Sequence, residues 1–175
     1  MKKGEYYLDL PVGTVNAVRR ALLMDIEAWA PDTVTFTRNS SCQTDEYIAH
    51  RIGLIPFVKV GDGDTMEISV KGRTLRASDL TGPAFKIVKD VEIIEMNEEQ
   101  EITATVFFKL KCGHVHARYK MCSAVSMQIL QNGMYKLCFE TLNDEEPDAV
   151  LRKAIRAIDS KIDRALSDVG NLEVC

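Results

Sequence analysis

One short stretch of the chain combines side chains that bind transition metals. Cys112, His114 and His116 alternate along it, and Cys122 follows six residues after the second histidine. In an extended strand, residues 112, 114 and 116 point to the same side, and a His-x-His pair can chelate zinc. No Cys-x-x-Cys pair accompanies them, so strand-end packing and hydrogen bonding are the favoured roles. The sequence therefore predicts no metal, with zinc on Cys112, His114, His116 and Cys122 kept as the alternative.

The carboxylates are not arranged for metal-dependent catalysis. Such chemistry requires acids that converge on one ion, whereas the acids here are scattered or lie in two solvated runs, at 98–101 and 144–146. Residues 61–64 contain two aspartates, but the residues that follow lack the oxygen ligands of a calcium loop. We expect neither catalytic residues nor a cofactor.

The composition is that of a soluble globular protein. The chain has 175 residues, of which 46% are hydrophobic and 27% charged, enough for one ordinary domain or two small ones. A formal net charge of −4 argues against a free-standing nucleic-acid binder. The sequence contains no apolar run of about 18 residues and no signal-peptide core. Five scattered cysteines favour reduced thiols, so an intracellular location is expected.

An amphipathic helix is predicted at 15–29, with Thr14 as its N-cap and Ala30-Pro31 beyond its end. Its apolar residues recur at three- and four-residue steps: Val15, Val18, Leu22, Ile26 and Trp29. Arg19 and Arg20 lie in the middle of the helix, either as solvated charges or as contacts to a partner.

A second, shorter helix is predicted at 44–53. Thr44 or Asp45 can cap its start, Gly53 suits its end, and Pro56 prevents its continuation. The segment contains no catalytic pattern, and it is interpreted as a junction between two parts of the chain.

Strands are predicted on both sides of this junction. Residues 5–10 form a short strand, and 33–38 alternate as a half-buried strand does. From 66 to 112 the pattern is β throughout, which predicts an antiparallel module of about four strands. Farther on, Asn132-Gly133 predicts a hairpin with a type I′ turn.

The chain closes with a long helix predicted at 147–169. Pro147 suits its first turn, and Gly170 suits its end. Its apolar residues form a seam with heptad-like spacing: Leu151, Ile155, Ile158, Ile162, Ala165 or Leu166, and Val169. Such a seam fits either the chain's own sheet or a partner helix.

Three segments of unusual composition follow one another in a recognisable order. They are Val15-Asn-Ala-Val-Arg-Arg-Ala-Leu-Leu23, then Asp45-Glu-Tyr-Ile-Ala-His-Arg-Ile-Gly-Leu-Ile-Pro56, then His116-Ala-Arg-Tyr with Ser123-Ala-Val125. Together they resemble the assembly subunit of cellular DNA-directed RNA polymerases. This family comprises the bacterial alpha amino-terminal domain, the archaeal D subunit and the eukaryotic third-largest subunit.

The resemblance implies an α+β fold with a discontinuous dimerisation domain at 1–55 and 124–175. In that domain two main helices pack on a small antiparallel sheet, and a β-rich domain at 56–123 is inserted between its halves. The resemblance also implies a non-catalytic scaffold that pairs with a smaller L-type or eleventh-type subunit. The pair would form the platform for the second-largest subunit in transcription, without sequence-specific nucleic-acid contact and without a membrane.

The resemblance also implies roles for particular residues. The partner interface would be Leu151, Ile155, Ile158, Ile162 and Leu166 of the closing helix. The platform toward the large subunits would include Arg19, Arg20, Asp45, Glu46, His50 and Arg51. No cofactor and no catalytic residue is implied for this subunit.

The chain also departs from the family. Arg118-Tyr119 and Lys120-Met121 replace the usual Lys-Trp and Ser-Pro, and the cysteine-rich segment of many archaeal and eukaryotic members is missing. Its compactness is similar to that of the minimal subunits of large DNA viruses. The expected location is therefore the nucleus, or the cytoplasm or virion if the chain is viral. A small zinc-binding interaction module and a free homodimeric scaffold outside any polymerase are the alternatives.

Overall fold

The computed structural model describes residues 1–170. Its helices are α1 (Val12–Met24), α2 (Asp45–Gly53) and α3 (Pro147–Gly170). Its strands are β1 (Lys3–Leu8), β2 (Glu27–Asn39), β3 (Phe57–Lys59), β4 (Thr65–Lys71), β5 (Leu75–Arg76), β6 (Phe85–Ile87), β7 (Glu92–Ile94), β8 (Glu101–Cys112), β9 (Cys122–Ile129) and β10 (Tyr135–Thr141). The α+β class expected from the sequence is confirmed. None of the helices in residues 1–170 is both long and apolar enough to cross a membrane.

The chain folds as two compact units. The first unit combines residues 1–28 with the part from 112 onward, and the second unit is the intervening segment 29–111. A discontinuous unit around an insert was expected, but these boundaries differ from the predicted ones at 55/56 and 123/124. The reason is packing: Ile48 and Ile52 of α2 belong to the core of the second unit, and Met121 to that of the first. That the first unit serves dimerisation stays a prediction.

In the first unit, β1, β10 and β9 form an antiparallel sheet in that order. Residues of α1 and α3 share a core with the central strand β10, whose Leu137 and Phe139 are buried. Tyr6 of β1 stacks on Phe139 with ring centroids 5.8 Å apart. Gly4 allows the start of α3 to come close, because a Cβ at this position would lie 2.9 Å from Cβ of Pro147.

In the second unit, β2, β8 and β4 form a three-stranded sheet, accompanied by the strand pairs β3–β6 and β5–β7. Phe85 and Phe108 stack at the centre of the core with centroids 3.9 Å apart, and Phe57 meets Phe108 edge-on at 4.9 Å. Strand β4 alternates between buried and more exposed residues along its whole length. The β-rich insert expected from the sequence is therefore present.

The predicted helix 15–29 is wrong at both ends. Pro11 rather than Thr14 occupies the N-cap position, and the helix stops at Met24. Trp29 lies instead in β2, where its ring packs against Phe85 at 5.7 Å and lies 3.8 Å from the Lys59 ammonium. Trp29 fits the helical spacing of apolar residues, but it is apolar because it packs against a segment distant in sequence.

The hairpin between β9 and β10 also differs from its prediction. A type I′ turn would need positive φ at both Asn132 and Gly133, but only Gly133 has it, at +82°. The Gly133 N–H donates to the Leu130 carbonyl (3.0 Å), and the Asn132 side chain accepts from the Met134 N–H (3.1 Å). The connection is thus a longer loop that ends in a left-handed glycine.

Candidate functional site

Helix α3 presents two neighbouring apolar faces. Val150 and Ala154 are fully buried in the core of the first unit. Leu151 and Ile158 of the predicted seam are half-buried and pack against the same core. The other seam residues are exposed, to the following fractions: Ile155 44%, Ile162 52%, Leu166 66% and Val169 64%. We call these four residues the exposed row.

Polar contacts hold the first two-thirds of α3 to its own unit. The Tyr6 hydroxyl donates to Asp148 at the start of the helix. Burial, reinforced by this carboxylate, raises the pKa of Tyr6 to about 12. The Lys161 ammonium donates to Asp25 Oδ1 at 2.6 Å. From residue 161 to 170 every side chain is exposed, so the row continues beyond the chain's own core.

The predicted platform residues of α1 differ in their surroundings. Arg19 is half-buried, and its guanidinium donates twice to Asn16 Oδ1, at 2.9 and 3.1 Å. Arg20 is exposed. The first arginine is therefore oriented by its own helix, whereas the second projects from it.

Helix α2 is built as its sequence predicts. The Thr44 side chain accepts from the Tyr47 N–H at 3.4 Å, and the helix ends at Gly53. Arg51 donates to the Glu92 carbonyl at 3.0 Å and to the Tyr47 hydroxyl at 3.3 Å, so it is tied to its own unit.

The other predicted platform residues of α2 are exposed. The Asp45 carboxylate accepts from the Asn39 amide at 2.7 Å, which joins the start of the helix to the end of β2. Glu46 and His50 lie on the same helix with exposed side chains. That these residues contact large polymerase subunits stays a prediction.

The four candidate zinc ligands are not brought together. Cys122 is buried in the first core, and burial raises the pKa of its thiol to about 12. His116 Nδ1 accepts from the backbone N–H and the side chain of Arg118, both at 3.2 Å. Within residues 1–170, no group of three or more histidine, cysteine, aspartate or glutamate side chains is placed to hold a metal ion.

The sequence analysis did not predict that some seam residues of α3 would pack against the chain's own core while the others would be exposed. Val150 and Ala154 each precede a seam residue by one position, so they mark a second apolar face beside the first. That offset indicates a second apolar face in the sequence, but it does not say which of the two faces the core takes. The sequence analysis also missed the Lys161–Asp25 pair, which joins residues 136 positions apart and has no local signal.

Comparison with known proteins finds relatives of the chain that share one name. The DNA-directed RNA polymerase subunit Rpo3 of Methanocaldococcus jannaschii is 27% identical over 174 residues, which cover 96% of this chain and 91% of the relative. The chain is a homologue of Rpo3. The Rpo3 subunit of Natronomonas pharaonis is 30% identical over 149 residues, or 80% of this chain and 60% of the relative. That of Pyrobaculum aerophilum is 27% identical over 153 residues, or 71% and 59%.

The match to Rpo3 confirms the resemblance found from the three motif segments. The chain spans about three-fifths of the lengths of the Natronomonas and Pyrobaculum subunits, whereas it spans nearly all of the Methanocaldococcus one. No protein-family model matches the chain. A viral source, suggested only by compactness, stays a prediction.

Proposed function

We propose that this chain is the non-catalytic assembly subunit of a multi-subunit DNA-directed RNA polymerase, acting inside the cell. It pairs with a smaller L-type or eleventh-type subunit, and the pair forms the platform for the second-largest subunit. Two findings support the proposal: homology to Rpo3 along nearly the whole chain, and an exposed apolar row on α3.

The exposed row carries the argument for a partner. Ile162, Leu166 and Val169 continue the seam beyond Lys161, where no side chain of α3 is buried by its own unit. Complete burial of one such side chain contributes about 1.5–3 kcal/mol, and these are already one-third to one-half covered, so the row as a whole is worth several kcal/mol to an interface. Isolated apolar residues on a surface are ordinary, whereas a periodic row on a long helix is typical of a helix-packing surface.

The pairing is tested at positions that do not support the chain's own core. Ile158 is unsuitable because it packs against that core, whereas Ile162 and Leu166 are more than half exposed. We expect Ile162→Asp/Leu166→Asp to keep the fold but to abolish co-purification of the smaller subunit after co-expression. Burying two carboxylates without partners is strongly unfavourable.

A matched control for this experiment is Ser160→Asp with Arg164→Asp. Both positions are exposed, and each lies two residues from Ile162, hence on the other side of the helix. The control should co-purify the smaller subunit at the wild-type level. Equal yields from all three chains would show that the exposed row is not the interface.

The platform is tested separately from the pairing. Arg20 of α1 and Glu46 of α2 are exposed, so charge reversal there should leave both units folded. We expect Arg20→Glu/Glu46→Lys to retain the smaller subunit but to lose the second-largest subunit from a tagged pull-down. Retention of both subunits would place the docking surface elsewhere.

A further inference from the structure

Helix α2 presents an aromatic and an aliphatic side chain to solvent. Tyr47 is 44% exposed, and Leu54 at the C-cap is 62% exposed. Arg51 lies between them at steps of four and three residues, so the three share one side of the helix. Ile48 and Ile52 each follow one of these residues by one position and are fully buried in the core of the second unit. The core therefore covers one side of α2, while Tyr47 and Leu54 lie on the exposed side.

Arg51 fixes the position of the Tyr47 ring. Its guanidinium donates to the Tyr47 hydroxyl at 3.3 Å, and its Cζ lies 5.9 Å from the ring centroid, within the range of a cation–π contact. The same guanidinium donates to the backbone carbonyl of Glu92 in β7 at 3.0 Å. Exposed side chains ordinarily change rotamer within nanoseconds, whereas this ring is tied to the backbone of a strand.

The strand that receives Arg51 is itself held by a small network of charges. Arg76 of β5 donates to Glu92 Oε1 at 2.7 Å and to Asp90 Oδ2 at 2.9 Å. Isolated surface ion pairs contribute little, but a cation shared by two carboxylates restrains the strand that carries one of them. The contacts run from β5 through β7 to Arg51 and then to Tyr47. The fold of the second unit therefore orients this exposed ring.

We infer that Tyr47 and Leu54 are the apolar anchors of the docking surface for the second-largest subunit, and that Arg51 positions Tyr47. The inference rests on the proposed function and deepens it, because α2 also carries the exposed Glu46 and His50 of the predicted platform. Protein interfaces combine an apolar centre with a charged rim, and tyrosine is among the residues that contribute most to binding. A ring that is already held in one orientation loses less entropy on docking.

The test immobilises the purified pair of this chain and the smaller subunit, and it measures binding of the second-largest subunit over a range of concentrations. We expect Tyr47→Ala and Leu54→Ala each to raise the dissociation constant at least about tenfold. Tyr7→Ala and Val60→Ala are matched controls, because both side chains are exposed outside α2. Both controls should bind as wild type does. All four variants should retain the smaller subunit, since none of them changes α3.

A double-mutant cycle separates positioning from a purely structural role of Arg51. Tyr47→Phe removes the hydroxyl that Arg51 holds. Arg51→Lys keeps the charge, but a single ammonium replaces the fork that reaches both this hydroxyl and the Glu92 carbonyl. Each single change should weaken docking about threefold, and the double variant should bind no more weakly than the weaker single variant. The fluorescence of Trp29 in urea should give the same unfolding midpoint for Tyr47→Phe as for wild type.

Three results would overturn the inference. If the wild-type pair does not bind the second-largest subunit, the proposed platform fails and the inference fails with it. If the wild type binds but Tyr47→Ala and Leu54→Ala bind equally well, the platform stands and the anchors lie elsewhere. If the losses from Tyr47→Phe and Arg51→Lys add in the double variant, Arg51 does not act through the Tyr47 hydroxyl.

Discussion

The Lys161 ammonium lies 2.6 Å from Asp25 Oδ1 and joins the middle of α3 to the end of α1. The lysine side chain is 57% exposed, whereas the aspartate side chain is only 12% exposed. Among residues 1–170, this is the last hydrogen bond or ion pair that α3 makes to another element of the fold. Beyond this pair, from residue 162 to 170, every residue of α3 is exposed.

Removing either member of this pair should lower the free energy of unfolding of the first unit. We expect Lys161→Met to cost about 1 kcal/mol, since it leaves a largely buried carboxylate without its cation. Asp25→Asn should cost less, because the exposed lysine is then solvated. In urea unfolding, the double variant should be no less stable than Lys161→Met alone, and additive losses would show that the pair does not interact.

Two glycines in open space form a matched test of backbone conformation. Apart from the adjacent residues and the helix's own backbone, no atom lies within 4 Å of a Cβ built on Gly13 or on Gly133. Gly133 has a φ of +82°, whereas Gly13 lies in α1. Gly133→Ala should destabilise by about 1 kcal/mol through left-handed strain. Gly13→Ala should stabilise by up to about 1 kcal/mol, because alanine favours the helix. Thermal unfolding should show melting temperatures that shift in opposite directions.

The second unit should carry an acid-sensitive carboxylate at Asp79. Arg73 donates to both of its oxygens, at 2.6 and 2.9 Å, and the Arg76 N–H donates at 2.8 Å. Burial raises the pKa of Asp79, yet these hydrogen bonds outweigh it and hold the pKa below the ordinary value of 3.8. Its stabilising contribution is therefore complete above the unfolded pKa and is lost as the pH falls through the folded pKa.

Replacement of Asp79 tests this pH dependence. We expect the stability gap between wild type and Asp79→Asn to be full near neutral pH and to narrow below about pH 4. Trp29, the single tryptophan of the chain, lies in the second unit, so its fluorescence reports unfolding there. A gap of constant size across this pH range would mean that Asp79 does not contribute through its charge.

The thiols of Cys42 and Cys122 should differ sharply in reactivity. Cys42 is exposed, whereas Cys122 is buried and burial raises the pKa of its thiol to about 12. Because the thiolate is the reactive form, iodoacetamide should modify Cys42 in the native protein and Cys122 only after unfolding in urea. Peptide mass spectrometry measures both sites in one sample, and equal native rates would contradict the burial of Cys122.

Elements with strong local signals were predictable from the sequence. Helix α2 lies where Thr44 caps its start and Gly53 closes it, and α3 begins at Pro147 and ends at Gly170, as predicted. Caps, proline and glycine act within one or two helical turns, so the residues next to a helix end are enough to predict it. The end of α1 was not predictable in this way, because Trp29 lies in a strand and packs against Phe85, 56 residues farther along the chain.

For the candidate interface, the sequence by itself determined the spacing of the seam on α3 and its apolar character. Only the tertiary structure decided that Leu151 and Ile158 serve the chain's own core while Ile155 and Ile162 face solvent. Periodicity shows which residues share a face of a helix, since that follows from helix geometry. Which face is covered depends on segments distant in sequence that pack against it, here the sheet of β1, β9 and β10.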